Sequence, residues 1–321
     1  MADTTAHDDA PRTSPAWEAW TIRGIAALAV VAAIVLALTA WGAVVHGHPA
    51  YAIMLAATVV IGGVTLWRWR RPRRAGGAAT LVLRLIGILA SLAWVALIAW
   101  LRPFSAIEPA LAAMTSDATV TVTETATRIV LAPASDAEGV GVLFYPGARV
   151  EARAYAAHLR PLAEAGHEVV IVKEPLGIAF LSMGALDSLV DERGGPWVVA
   201  GHSLGGTVAA IEAGVAYPTD EVSPVAGLLL WASYPADDLT SFDGAVASVS
   251  GSEDGLATPA DIDASRADLP ASTAFTEIEG AAHAQFGSYG AQPGDGDPTV
   301  SDDVARAQIV AASLQLLDSL G

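Results

Sequence analysis

The sequence predicts a mostly parallel α/β domain carried behind three membrane-spanning helices. Three observations predict it. Long charge-free runs fill the first hundred residues. Short apolar runs then alternate with helical segments from about residue 119 onward. One of those runs enters a Gly-x-Ser-x-Gly turn that opens directly into a helix.

The membrane region comes first. Gly24 to Val45 holds 22 residues without a charge, about 33 Å of helix and enough to cross a hydrocarbon core. Residues 49–67 and 78–101 repeat the pattern, the last interrupted only by Arg84, expected to snorkel to the headgroups from near one end. Trp17, Trp20, Trp41, Trp67, Trp69 and Trp100 fall near the span ends, as an interfacial belt requires. Arg68, Arg70, Arg71, Arg73 and Arg74 crowd the second connection, whereas His46-Gly47-His48-Pro49 in the first has no Lys or Arg. Positive loops stay in the cytoplasm. The reading is therefore a cytoplasmic tail over 1–20 and a membrane region over 21–102. A linker over 103–118 leads to an α/β domain over 119–321, outside the cytoplasmic membrane. The first run exceeds a signal-peptide core, so it is read as a retained span. His46 and His48 read as solvated loop residues.

Composition splits at the same place. Residues 1–102 carry nine Arg against four acidic residues, and residues 103–321 carry eight basic against thirty acidic residues. An acidic domain without clustered Lys and Arg argues against nucleic acid as a partner. The chain has no Cys, which excludes a thiol nucleophile, a disulfide framework and a Cys-bound zinc.

In the α/β domain, Thr119–Thr123 and Thr127–Leu131 alternate apolar and polar residues, as half-buried strands do. Val140–Tyr145, Glu168–Val172, Trp197–Ala200, Val225–Trp231, Ala245–Ser250 and Thr273–Ile278 supply the remaining strands. Helices are expected over 151–165, with Pro161 a local irregularity, and over 180–190, 207–213, 259–268 and 300–319. The turn-rich stretch 292–298 contains Asp295 and Asp297. Their spacing fits no EF-hand loop, and both read as solvated turn residues.

Gly201-His202-Ser203-Leu204-Gly205 lies between strand and helix. A turn this tight needs small residues on both sides, and it pushes the serine hydroxyl out past the sheet edge. Ser203 is thus the candidate nucleophile. It needs a base, and the base an orienting acid, in the chain order serine, acid, histidine. His283 is the only histidine after Ser203. Asp254, in Gly251-Ser252-Glu253-Asp254-Gly255 after a strand, is the preferred acid, ahead of Glu253, Asp237, Asp238 and Asp243. An oxyanion hole needs two backbone N–H groups. Leu204 supplies one, and the turn Tyr145-Pro146-Gly147-Ala148 the other, through Ala148 first and Gly147 second. His202 reads as structural, pointing away from the Ser203 hydroxyl. Phe180, Leu181 and Met183, with Tyr234, Phe286 and Tyr289, are candidates to line an acyl pocket.

Phe-Tyr-Pro-Gly, Gly-His-Ser-Leu-Gly-Gly and Ala-His-Ala-Gln-Phe-Gly together resemble the α/β-hydrolase superfamily, in a bacterial dienelactone-hydrolase-like branch. The resemblance covers roughly 125–320. It implies an eight-stranded, mostly parallel sheet and ester- or acyl-hydrolysing chemistry without cofactors or metal. Two departures stand out. Ser203 replaces the cysteine of true dienelactone hydrolases, and Tyr-Pro-Gly-Ala stands where many lipases carry His-Gly-Gly. The expectation is a membrane-anchored serine hydrolase acting on a small-molecule or lipid ester. The lipid bilayer is its partner, and no protein partner is indicated. An acyltransferase with an envelope alcohol as acceptor, or a non-catalytic membrane module of the same fold, are the alternatives.

Overall fold

The structure, a computed structural model, describes residues 16–68, 78–135, 139–215 and 223–321. Most of the predicted tail, and Trp69, Arg70, Arg71, Arg73 and Arg74 of the arginine-rich connection, lie outside the described residues. The chain forms two compact units. One holds Ala52–Arg102 together with the chain up to Trp41, and the other holds Gly42–Tyr51 and Pro103–Gly321.

In the first unit, the apolar runs become α1 (Ala16–Thr39), most of α3 (Pro49–Trp67) and α4 (Ala78–Trp100). Each is long and apolar enough to cross a membrane. Leu38, Ile61, Leu83 and Leu89 stand exposed on their outer faces, where a bilayer rather than water would satisfy them. The first run, 24–45, is divided: α1 stops at Thr39 and a short α2 (Trp41–His46) follows. Arg84 does not simply reach outward. Its guanidinium pairs with the buried Glu18 carboxylate at 2.6 Å. Trp94 Nε1 donates to Thr58 Oγ1 at 2.9 Å, so the polar groups between these helices find partners.

The second unit is built on one eight-stranded sheet. In chain order the strands are β1 (Val120–Glu124), β2 (Arg128–Pro133), β3 (Gly141–Tyr145), β4 (Val169–Val172), β5 (Trp197–His202), β6 (Val225–Trp231), β7 (Ala245–Gly251) and β8 (Ala274–Ile278). Their spatial order is β1-β2-β4-β3-β5-β6-β7-β8. β2 runs antiparallel to both neighbours and every other pair is parallel. All eight predicted strands form within about two residues of their expected bounds.

The sheet's alternation makes two cores. Val142, Phe144, Val198, Ala200, Leu229 and Trp231 join the layer shared with α6 (Ala156–Glu164) and α10 (Asp302–Asp318), while the short α5 (Ala110–Ala113) precedes β1 and the short α9 (Pro259–Ala264) follows β7. Leu143, Tyr145, Val199, Leu228 and Leu230 join the opposite layer, with α7 (Ala185–Arg193) and α8 (Leu204–Ala213). Strands buried on both faces are why these runs are continuously apolar. Helix starts differ from expectation. A 3-10 turn precedes α6 over Ala152–Tyr155, and another over Ala179–Ser182 is cut off from α7 by Gly184 at φ 84°. His46 is not simply solvated: its Nδ1 lies 3.3 Å from Glu124 of β1.

Candidate active site

Parallel strands deliver their following loops to one edge of a sheet. The turns after β3, β5, β7 and β8 therefore meet there, and they carry Ala148, Ser203, Asp254 and His283.

Ser203 follows β5 and precedes α8 with φ 52° and ψ −125°. A side chain in this region is strained and persists only where its surroundings impose it. They do so here. Ser203 N–H donates to Trp231 O at 3.0 Å, and its carbonyl accepts from Ser233 Oγ at 2.7 Å. Gly205 lies so close to the backbone after β3 that any Cβ would collide with the carbonyls of Tyr145 and Pro146. The Ser203 hydroxyl, at the N-terminus of α8, makes no hydrogen bond among the described residues.

Asp254 and His283 are 4% and 1% exposed. His283 Nδ1 lies 2.8 Å from Asp254 Oδ2. The other carboxylate oxygen, Oδ1, accepts from Leu256 N and Ala257 N, both at 2.8 Å. A carboxylate only accepts, so the shared proton sits on Nδ1, and a neutral imidazole in this place has its lone pair on Nε2. That Nε2 is buried and has no partner among the described residues. Glu253, Asp237, Asp238 and Asp243 make no bond to His283.

The two candidate donors in the turn after β3 differ in their hydrogen-bond partners. Gly147 N–H donates to Tyr155 Oη at 2.8 Å. Ala148 N–H and Leu204 N–H donate to nothing among the described residues. Tyr155 Oη also lies 2.9 Å from His202 Nδ1. Burial pushes the Tyr155 phenol well above its usual range, so it stays a neutral hydrogen-bonding strut. His202 is fully buried, with its ring 4.5 Å from the His283 ring and stacked on Phe286 at 5.9 Å. Burial first, and then the neighbouring His283 and His158, hold its pKa well below the ordinary imidazole value. A neutral His202 is the aromatic shelf under His283, and it does not compete with it for a proton.

A family model described as the alpha/beta hydrolase family matches residues 141–307, more than half of the chain. The chain belongs to this family. Among solved structures, it is similar to a dienelactone hydrolase-like promiscuous phosphotriesterase from metagenomic libraries. The two are 16% identical, the match covers 63% of this chain and 99% of that one, and the TM-score is 0.45. An esterase from Pyrobaculum calidifontis is 14% identical over 66% of this chain and 89% of its own, with a TM-score of 0.46. A monoacylglycerol lipase from Paleococcus ferrophilus is 14% identical over 62% and 99%, with a TM-score of 0.45. No curated protein matches the sequence.

The pocket candidates of this hydrolase-family site fall into two groups. Phe180, Leu181, Met183 and Tyr234 are exposed, at 44%, 56%, 51% and 39%, and are free to meet a substrate. Phe286 and Tyr289 are buried, at 0% and 6%. Phe286 supports His202 rather than facing an open surface, and Tyr289 donates to Gln292 Oε1 at 3.0 Å. Several residues about the site carried no local signal. Tyr145 donates to Glu212 Oε2 at 2.6 Å, and Glu212 Oε1 accepts from Gly184 N at 2.7 Å. Burial raises the pKa of Glu212. Glu174, just past β4, is buried with neither carboxyl oxygen bonded among the described residues. Burial pushes it well above the carboxylate range. Asp295 is not the solvated turn residue that its loop implied.

Proposed function

We propose that this chain is a membrane-anchored serine hydrolase that cleaves carboxylic esters through an acyl-enzyme. The observation that carries the reading is the Asp254–His283 pair, with Nε2 buried and unpartnered among the described residues, on the sheet edge that holds Ser203 at its strained elbow. Ser203 Oγ attacks the acyl carbonyl carbon and its proton passes to His283 Nε2. The carbonyl oxygen gains the negative charge, and the N–H groups of Leu204 and Ala148 receive it. The C–O bond to the alcohol then breaks, and the alcohol leaves with the proton from Nε2. Water repeats the sequence and releases the acid. The Asp254 carboxylate orients the imidazole and stabilises the imidazolium.

In this reading the three apolar helices anchor the domain, and the arginine-rich connection at 68–74 supports its lying outside the cytoplasm. The test is turnover of p-nitrophenyl esters of graded acyl length by the full chain in detergent, with and without added alcohols. Release of free acid dependent on Ser203 supports hydrolysis. Quantitative transfer to the alcohol at the expense of acid would make the chain an acyltransferase. No Ser203-dependent turnover of any ester would overturn the reading.

A further inference from the structure

Asp254 and His283 stand on separate loops, after β7 and β8, and catalysis requires their spacing to be fixed within a fraction of an ångström. A third loop, between the 3-10 turn His283–Phe286 and α10, joins them. Asp295 on that loop binds four backbone N–H groups. Its Oδ1 accepts from Gly255 at 3.2 Å, His283 at 3.0 Å and Gly296 at 2.8 Å, and its Oδ2 from Ala284 at 2.8 Å. One carboxylate thus holds the residue after the acid, the base itself and the residue after the base. The backbones are pressed together at the same place. A Cβ on Gly296 would collide with the carbonyl of Glu253, and one on Gly255 would lie 2.8 Å from Gly294 O. The loop's far end is tied back, because Thr299 N–H and Val300 N–H both donate to Gly280 O, at 2.8 and 3.3 Å. Hydrogen bonds from neutral N–H groups to a charged carboxylate are among the stronger ones a protein makes.

We infer that Asp295 is the positioning residue of this site: it clasps the acid loop to the base loop and so sets the Asp254–His283 register. The inference rests on the hydrolase reading for its kinetic consequence, but not for its geometric one. It differs from a general stabilising role because its bonds fall on the base itself and on the residue after the acid, whose spacing sets the Asp254–His283 hydrogen bond.

The experiment compares Asp295→Ala and Asp295→Asn with the wild type in the full chain. Turnover of p-nitrophenyl acetate is expressed per fluorophosphonate-reactive site. The low-field proton of His283 Nδ1–H is recorded alongside, and assigned by its loss in His283→Ala. Asp295→Ala should lower kcat on the order of 10²-fold with KM within about threefold, because the reacting groups lose alignment while the binding surface is untouched. It should also shift or broaden the low-field proton. Asp295→Asn keeps an acceptor at Oδ1 for three of the four N–H groups and should fall between the two. A kcat within about threefold of wild type in both variants would overturn the inference whatever their melting temperatures, because a merely structural aspartate would give that result. If the wild type shows no Ser203-dependent turnover, the hydrolase reading falls. The clasp is then decided by the proton signal alone: unchanged in Asp295→Ala, it refutes the clasp, and shifted or lost, it supports it.

Discussion

Replacing Asp254 by Asn separates the proposed mechanism from a merely structural ion pair. The substitution keeps size and shape, so its consequence can be worked from the hydrogen bonds. Oδ1 accepts from two backbone N–H groups, and Oδ2 accepts from His283 Nδ1–H. An asparagine offers one acceptor and one donor in those two places. With its oxygen at Oδ1, both backbone bonds survive and the NH₂ faces His283. The imidazole must then carry its proton on Nε2, where it cannot accept one from Ser203. With the amide flipped, the tautomer is preserved, but two buried N–H groups lose their acceptor at about 1–3 kcal/mol each. The first arrangement is therefore favoured, and it should cost on the order of 10⁴ in kcat, about 5.5 kcal/mol of transition-state stabilisation. Folding should change little. The assay is kcat/KM on p-nitrophenyl acetate, normalised to folded protein by circular dichroism. A variant within about tenfold of wild type would refute the reasoning, since the tautomer would then not limit the reaction.

Other outcomes follow from the same structure. Glu174 is buried without a bonded partner among the described residues and its pKa is raised, so the folded state binds a proton that the unfolded state releases above about pH 4.5. Its contribution to stability falls as pH rises from there towards the folded pKa, and Glu174→Gln should raise the melting temperature at pH 8 more than at pH 4. An equal shift at both would remove the carboxyl as the cause. His158 behaves in the opposite sense. Burial lowers its pKa to about 4, so the unfolded chain takes up a proton first as pH falls, and stability is lost between about 6.5 and 4. The loss is about 3 kcal/mol at most, and denaturant titrations of His158→Gln should show a correspondingly flatter slope over that window. An unaltered slope would mean that His158 is not the proton acceptor. Alkaline phosphatase fused after Arg102 should be active and after Arg74 inactive, and the reverse pattern would invert the topology.

How much of this was legible in the sequence depends on the reach of each interaction. The eight strands were legible because each is a short apolar run bounded by turn residues, and burial on both faces leaves no polar residue inside β3 or β4. The elbow was legible because its constraint is local: five residues, two of them Gly, between a strand and a helix. The 3-10 turns at Ala152–Tyr155 and Ala179–Ser182 are not legible, since hydrophobic periodicity does not separate a 3-10 turn from the first turn of an α-helix. Partners far apart in the chain left no pattern at all. Tyr145 meets Glu212, Tyr155 meets His202 and Arg84 meets Glu18 across separations of 67, 47 and 66 residues. Asp295 looked like any turn aspartate because its partners are backbone amides, which every residue but proline carries.

The account stands on Ser203 being activated by His283, and covalent labelling reads that directly. The full chain in detergent is treated with a fluorophosphonate, digested and mapped by mass spectrometry, alongside Ser203→Ala and His283→Ala. The account predicts one adduct, on the peptide containing Ser203, absent from Ser203→Ala and slowed by orders of magnitude in His283→Ala. A folded wild type that takes no label, an adduct on another serine, or undiminished labelling of Ser203→Ala would contradict it.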